Sequence, residues 1–167
     1  ERKDQARRAE LLNAADLVIL CLPDESAQKA VDLIENKNTR VIDASTAHRT
    51  ANGWTYGFPE YGPEQRDAIV KAKRVSNPGC YAIASISILH PLVLSGIISA
   101  DWPVTINAVS GYSGGGKGLI AAFEDPTSNK YTEAPFYPYG LNLEHKHLPE
   151  ITIRSGLKRA PIFVPSV

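Results

Sequence analysis

The segment Ser76-Asn77-Pro78-Gly79-Cys80-Tyr81 joins a short predicted strand to an apolar stretch that predicts a buried helix. Pro78 fixes its own φ and Gly79 allows backbone shapes that other residues avoid, so this turn can aim the next side chain, Cys80, at a cleft. If the helix begins near Cys80, unpaired backbone N–H groups surround the sulfur and favour the nucleophilic thiolate. The alternative is a small buried cysteine that only packs. The turn by itself favours neither interpretation.

The residues before this turn predict a parallel sheet. Residues 16–23 form a continuously apolar run, which is typical of a strand covered on both faces. Asp24 or Ser26 is a candidate N-cap for the helix that follows, and residues 40–43 predict a second buried strand. This strand–helix–strand order predicts a right-handed βαβ unit. Cys21, near the end of the first strand, is predicted to pack.

Residues 43–49, Asp-Ala-Ser-Thr-Ala-His-Arg, leave the second strand at its carboxyl end. Ligands of open α/β sheets bind at such ends. Small hydroxyl residues followed by Arg49 are therefore candidates for contact with a nucleotide. The alternative, which the spacing alone favours, is a Ser/Thr-rich loop with a solvated arginine.

The residues after the turn predict a second sheet and a glycine-rich loop. The helix that begins near Cys80 is predicted to end before Pro91, and residues 103–109 alternate as a strand does. Residues 110–118 then follow with neither the P-loop order nor a dinucleotide fingerprint. Their exposed N–H groups and one lysine favour a nest for an oxyanion or phosphate over a flexible linker. Residues 124–140 are rich in Pro and Tyr and predict a loop.

Two histidines lie two residues apart, at 145 and 147. If this segment is extended, His145 and His147 point to opposite sides, and only one of them can face a given cleft. No further metal ligands occur at a sensible spacing, so the sequence predicts no metal site. A histidine that transfers a proton near a nucleophilic cysteine is the sharper hypothesis. A short helix over residues 149–155 and a strand over 161–164 are predicted to follow.

Composition narrows the class of protein. The chain has 167 residues, 43% of them hydrophobic and 22% charged, as in an ordinary globular protein of one domain or two small lobes. A formal net charge of zero argues against nucleic acid or an acidic membrane as a partner. No apolar run approaches the roughly 20 residues needed to span a bilayer. With only two cysteines, a reducing cytoplasm is the expected location.

The two ends of the sequence predict a piece of a longer protein. There is no methionine, and the first residues have the composition of a linker or helix interior. The last seven residues stop inside a predicted strand. We therefore expect further sequence at both ends.

Five motifs in register resemble the N-acetyl-gamma-glutamyl-phosphate reductase family, in its shorter bacterial form. The resemblance covers nearly the whole chain and includes the Ser76–Tyr81 hexapeptide, which is similar to the family's active-site signature. The other four motifs are residues 20–24, 43–49, 110–117 and 145–151.

The resemblance implies a fold like that of aspartate-semialdehyde dehydrogenase. An α/β domain with a partial Rossmann-like parallel sheet, residues 1–76, would precede an α+β catalytic and oligomerisation domain with a mixed sheet, residues 77–167. It also implies reduction of an acyl phosphate to an aldehyde by NADPH in arginine biosynthesis, with release of inorganic phosphate, in a homo-oligomer.

The same resemblance implies roles for particular residues. Cys80 would be the nucleophile that forms a thioester, and either His145 or His147 would be the acid/base. The remaining implied contacts are Pro23, Ser45, Thr46 and Arg49 with NADP(H), and Asn77, Ser113, Gly114 and Lys117 with substrate or phosphate.

The chain departs from the family pattern in one respect, and three other functions are compatible with its sequence. The family opens with a strand and a glycine-rich turn for the cofactor pyrophosphate, and the chain contains neither. The homologous N-acetyl-aminoadipyl phosphate reductase of lysine biosynthesis would use identical cysteine chemistry. A Cys–His acyl hydrolase would need no nicotinamide, and a non-catalytic α/β binding domain would have an inert thiol.

Overall fold

A computed structural model describes residues 4–167 of the chain. The strands and helices alternate through most of that range, which confirms the predicted α/β class. The elements in order are α1 (Gln5–Ala14), β1 (Leu17–Leu20), α2 (Asp24–Asp32), β2 (Arg40–Asp43), β3 (Thr55–Tyr56), α3 (Gln65–Lys71), β4 (Arg74–Ser76), α4 (Cys80–Leu94), β5 (Thr105–Val109), α5 (Gly116–Glu124), α6 (Leu148–Ser155) and β6 (Ile162–Ser166), with 3₁₀ helices at Pro59–Tyr61 and Tyr112–Gly115.

The first sheet contains four parallel strands in the order β1-β2-β4-β3. Leu20 pairs with Asp43, and Asp43 pairs with Ser76, so three strands end at the same edge. The Asn77 N–H donates to the Asp43 carbonyl at 2.7 Å and extends this ladder by one residue. The carboxyl edge of the sheet therefore brings the 43–49 loop beside the Cys80 turn.

The second sheet pairs β5 with β6 in parallel, from Thr105–Ile162 to Val109–Ser166. Pro138 forms an antiparallel bridge to Ser166, so the pairing on this side of the molecule is mixed, as predicted. The loop predicted over residues 124–140 lies between α5 and α6 and has no other regular element.

A buried apolar cluster joins the two sheets to the helices between them. Tyr56 and Phe58, from β3 and the residues after it, pack with side chains of α4 and α6. The other buried members are Ala82, Ile86, Leu89, Ile151 and Leu157. A second cluster lies under α2, where Val18, Leu20 and Val41 of the first sheet meet Ala30.

α4 runs through Pro91, so the prediction that the helix ends there is wrong. It spans 15 residues, and the Ser95 N–H donates to the Pro91 carbonyl at 3.0 Å. Proline lacks an N–H and its ring crowds the carbonyl four residues earlier, but its fixed φ is a helical one, and α4 continues for one more turn after it. Within residues 4–167, no helix combines the length and the apolarity that crossing a membrane would require.

Three local predictions around β1 and α2 are also wrong. β1 is covered on one face only, since Leu17 and Ile19 are exposed while Val18 and Leu20 are buried. Cys21 is exposed and does not pack. Neither Asp24 nor Ser26 caps α2, which begins at Asp24 without a side-chain cap. Asp24 accepts hydrogen bonds from Thr46 instead, so its carboxylate ties the ends of β1 and β2 together.

Candidate active site

A cleft of about 320 Å³ lies where the carboxyl edge of the first sheet meets the residues before α6. It gathers a thiol, two imidazoles, two cations and two phenols. The lining residues are Arg49, Gly79, Cys80, Tyr81, Ser110, Gly114, Gly115, Tyr139, His145, Lys146 and His147.

Cys80 is the first residue of α4, which confirms the predicted helix start. Gly79 is the N-cap, with an extended backbone (φ −74°, ψ 146°), and no side chain caps this end of the helix. The first N–H groups of α4 are therefore free to interact with the sulfur or with a bound anion. Because Cys80 is exposed in the cleft, the alternative of a buried cysteine that only packs is wrong.

The turn before Cys80 is held by a buried carboxylate on α6. Glu150 accepts hydrogen bonds from the Gly79 N–H at 2.9 Å, the Tyr56 hydroxyl at 2.7 Å and Arg49 Nη1 at 3.2 Å. A Cβ on Gly79 would lie 2.6 Å from both Arg49 Nη1 and His147 Nε2. The turn therefore needs glycine because of close approach, since its φ is one that any residue adopts.

His145 and His147 both line the cleft, so the expectation that only one of them can face it is wrong. The segment is a turn that leads into α6, and the two rings lie 4.7 Å apart, edge to face. Strand-like alternation therefore does not apply. Within the described part of the chain, no cluster of three or more His, Cys, Asp or Glu side chains could hold a metal ion.

The two imidazoles differ in their surroundings. His147 is buried, its Nδ1 has no hydrogen-bond partner, and burial followed by the charge of His145 lowers its pKa to about 3. His145 is half-buried, and burial followed by the charge of Lys146 lowers its pKa. The backbone N–H of His147 donates to His145 Nδ1 at 3.2 Å, so neutral His145 carries its proton on Nε2.

A chain of hydroxyl groups borders the thiol. Tyr81 OH lies 2.7 Å from Ser110 Oγ and donates to the Ser166 carbonyl at 3.0 Å, and the Tyr139 hydroxyl donates to Tyr81 OH at 3.3 Å. Burial, followed by the Tyr81 hydrogen bond, raises the pKa of Tyr139. The Tyr139 phenol therefore stays protonated, and its hydroxyl proton is directed at Tyr81 OH.

Of the predicted phosphate residues, the structure brings only Gly114 into the cleft lining. Asn77 is exposed, and its backbone bonds to Asp43 and Arg49. Ser113 is exposed in the 3₁₀ helix at Tyr112–Gly115, and Lys117 is exposed on the first turn of α5. The glycine-rich stretch is thus helical, and the alternative of a flexible linker is wrong.

The predicted cofactor residues fall into two places. Arg49 is buried in the cleft, where its guanidinium donates to Asn77, Ala44 and Glu150, while Thr46 lies half-buried at the sheet edge. Ser45 is buried and donates to Asp43 at 2.6 Å. Asp43 also contacts His48 Nδ1 at 2.6 Å, which fixes the loop between them.

Pro23 lines a separate cavity of about 390 Å³ between α1 and α2. Arg8 lines the same cavity, and its Nε is buried without a hydrogen-bond partner. An apolar groove with an unsatisfied guanidinium, next to the first N–H groups of α2, fits part of a nucleotide with its phosphate. No pattern in the sequence indicated a role for Arg8.

Four further residues of the site were missed by sequence reasoning. Tyr81 directly follows Cys80, and Lys146 lies between the two histidines. Their position next to predicted site residues was the one signal in the sequence that could have identified them. Tyr139 and Glu150 are brought in by folding, from a loop and from α6.

Two family models match the chain. One, described as the NAD binding domain of semialdehyde dehydrogenase, matches residues 2–69. The other, described as the dimerisation domain of semialdehyde dehydrogenase, matches residues 80–167.

Several bacterial proteins that are similar to this chain are named N-acetyl-gamma-glutamyl-phosphate reductase. The N-acetyl-gamma-glutamyl-phosphate reductase of Chelativorans sp. (strain BNC1) is 55% identical over 167 residues, which cover 99% of this chain and 53% of the relative. That of Mesorhizobium japonicum is 54% identical over 166 residues, with coverages of 99% and 53%. Reductase 2 of Nostoc sp. (strain PCC 7120) is 49% identical over 170 residues, with coverages of 100% and 53%. The chain spans about half the length of these relatives.

Proposed function

Because this chain belongs to the semialdehyde dehydrogenase family, we propose that it performs acyl-phosphate reduction through a cysteine thioester. The substrate is N-acetyl-gamma-glutamyl phosphate, the products are N-acetylglutamate semialdehyde and phosphate, and the reductant is NADPH, in arginine biosynthesis. The names of the relatives support the substrate. The observation that carries the proposal is Cys80, exposed at a helix N-terminus in one cleft with both imidazoles.

Cys80 attacks the carbonyl carbon of the acyl phosphate as a thiolate. The S–C bond forms, the C–O bond to phosphate breaks, and phosphate leaves with the electron pair. The first N–H groups of α4 favour the anionic sulfur before attack. A nicotinamide cofactor, when bound, would supply the hydride that reduces the acyl carbon. The C–S bond then breaks, so that the aldehyde leaves and Cys80 is returned as the thiolate.

Arg49 and Lys146 are the cations of the cleft, and we assign them to the phosphate. Arg49 is preorganised, because Glu150 and two backbone carbonyls hold its guanidinium in place. A fixed planar donor matches phosphate oxygens without a cost of reorganisation. Lys146 is exposed, as suits a side chain that meets an arriving anion. This assignment replaces the predicted contact of Arg49 with the cofactor.

His145 is the acid/base in this proposal, and His147 is a neutral packing partner of the turn. Its Nε2 proton makes His145 a donor to the oxygen that becomes negative during reduction. His147 is more deeply buried, with a pKa of about 3, so it stays uncharged at neutral pH and lacks the second proton of an imidazolium acid. Its ring also occupies the space where a Cβ of Gly79 would lie.

We place the nucleotide at the carboxyl edge of the first sheet, near the end of β1. We assign Pro23, Arg8 and the half-buried Thr46 to it. We place the boundary between the cofactor domain, residues 1–76, and the catalytic domain, residues 77–167, where Ser76 ends β4. The dimerisation-domain match supports a homo-oligomer.

Replacing the thiol tests the reaction directly. Cys80→Ser should lose on the order of 10³-fold or more of the aldehyde oxidation that depends on phosphate and NADP, because the serine hydroxyl is a far weaker nucleophile. Cys21→Ser is the matched control, since Cys21 is the other exposed cysteine and lies outside the cleft. Retained turnover in Cys80→Ser would contradict the thioester route. Comparison with the aminoadipyl aldehyde decides between the arginine and lysine pathways.

A further inference from the structure

Glu150 is a buried acid to which the proposed chemistry gives one part only, the contact with Arg49. Its side chain is 2% exposed, on the first turn of α6. One carboxylate oxygen, Oε1, accepts from both the Gly79 N–H and the Tyr56 hydroxyl, and the other, Oε2, accepts from Arg49. A buried charge is costly unless it is paired and hydrogen-bonded, and each oxygen here has a donor.

The contact with Gly79 reaches the reacting group through one residue. Gly79 is the N-cap of α4, and Cys80 is the first residue of that helix. A hydrogen bond to the Gly79 N–H therefore fixes the backbone from which the sulfur projects. Glu150 lies three residues after His147 on the same chain segment. Its hydrogen bond to Gly79 therefore connects the segment that carries the imidazoles to the turn that carries the thiol.

We infer that Glu150 is a positioning residue for Cys80. It anchors the Pro78–Cys80 turn through the Gly79 N–H, and it holds the Arg49 guanidinium in the cleft through Oε2. The inference rests on the proposed function for the role of Cys80 as a nucleophile. The geometry that it concerns is that of the thiol, which chemical modification reports without substrate or cofactor.

Two effects of Glu150 on the thiol can be separated by choice of variant. Glu150→Gln keeps an oxygen that can accept from Gly79 and removes the negative charge. Glu150→Asp keeps the charge and retracts the oxygen by one methylene, away from Gly79. The other charged or titratable groups facing Cys80 are the same in both variants: Arg49 from the loop after β2, Tyr81 of α4, Tyr139, and His145, Lys146 and His147 before α6.

The measurement is the rate of alkylation of Cys80 by iodoacetamide against pH, in a Cys21→Ser background. Glu150→Gln should lower the thiol pKa by about 1 unit, because the charge of Arg49 is then uncompensated. Glu150→Asp should raise it, because the helix N–H groups are then less well aligned on the sulfur. In the reductase assay, Glu150→Asp should lose about 10²-fold in kcat, because the sulfur of Cys80 is then misplaced. The kcat of Glu150→Gln should stay within about tenfold of the parent value.

Glu144→Gln is the matched control, because Glu144 is exposed and its carboxylate bonds only to Asn142. It should leave the thiol pKa unchanged. Opposite shifts in the two Glu150 variants support the inference. Unshifted pKa values in both variants, or shifts in the same direction, would overturn it. An absence of reductase activity in the parent would overturn the proposed function instead, and the alkylation result would still decide the role of Glu150.

Discussion

At the residue scale, His147 makes stability depend on pH. Its pKa in the folded protein is about 3, lowered mainly by burial, against about 6.5 for an exposed imidazole. The unfolded chain therefore takes up the proton first as pH falls. The contribution of the neutral ring is complete above about pH 6.5 and is lost as pH falls toward the folded value.

We expect the free energy of unfolding to decline between pH 7 and 5, by at most about 1.4 kcal/mol per pH unit for each imidazole. Carboxylates are still largely ionised in this window, so the imidazoles with a lowered pKa, His147 together with His145, set the slope. His147→Gln cannot titrate and should flatten the decline, as measured by urea unfolding at pH 7, 6 and 5. The same slope in the variant and the parent would contradict the assignment of a buried neutral ring.

The sequence predicted Cys80 and its place at a helix start because Pro78, Gly79 and the apolar run beyond them are local signals. It did not predict Glu150, because the donors to that carboxylate lie 71, 94 and 101 residues away in sequence. Such contacts exist only once both sheets have formed. That both histidines line the cleft could not be predicted for a related reason. The shape of the turn before α6 depends on how that helix packs.

At the element scale, the Gly79 turn has no room for a side chain. An alanine Cβ would lie 2.6 Å from Arg49 Nη1 and from His147 Nε2. Gly79→Ala should therefore displace one of these cleft residues, at a cost of about 1–3 kcal/mol in stability and at least about tenfold in turnover. Urea unfolding and the reductase assay measure the two effects.

Gly118→Ala is the control for this prediction. Gly118 lies inside α5, and a Cβ there would meet no atom within 4 Å. Alanine in a helix interior should gain roughly 0.5–1 kcal/mol over glycine. If Gly79→Ala behaved like Gly118→Ala, the turn would not be as closely packed as the distances indicate.

Element boundaries were predictable where the hydrophobic pattern and the breaker residues agree. α6 and β5 lie within about two residues of their predicted limits, because period and flanking residues indicate the same ends. α4 continues past Pro91 because its apolar face continues to pack, through Val93, against the cluster shared with α6. The exposed face of β1 was not predicted. A continuous apolar run indicates a strand, but it does not specify which face of the strand the neighbouring helices cover.

At the scale of the whole molecule, one buried cluster contains residues from both proposed domains. Tyr56 and Phe58 belong to the proposed cofactor domain, while Ile86 and Ile151 belong to the proposed catalytic domain, and all four are buried in the same cluster. The Arg49–Glu150 pair and the hydrogen bond from Arg154 Nη2 to the Arg49 carbonyl at 2.7 Å cross the same boundary. We therefore expect the two units to unfold in one transition.

Truncation of Ile151 tests this coupling. Ile151 is fully buried, so Ile151→Ala should cost about 2–5 kcal/mol. Trp54 reports on the first unit, because its ring stacks on His48 at 4.0 Å, and Trp102→Phe leaves it as the sole tryptophan. In that background, the urea midpoint from Trp54 fluorescence should fall together with the midpoint from circular dichroism. Ile153→Ala, on the same helix but at an exposed position, should move neither. A Trp54 midpoint that stays in place while circular dichroism shows an earlier transition would mean that the two units unfold independently.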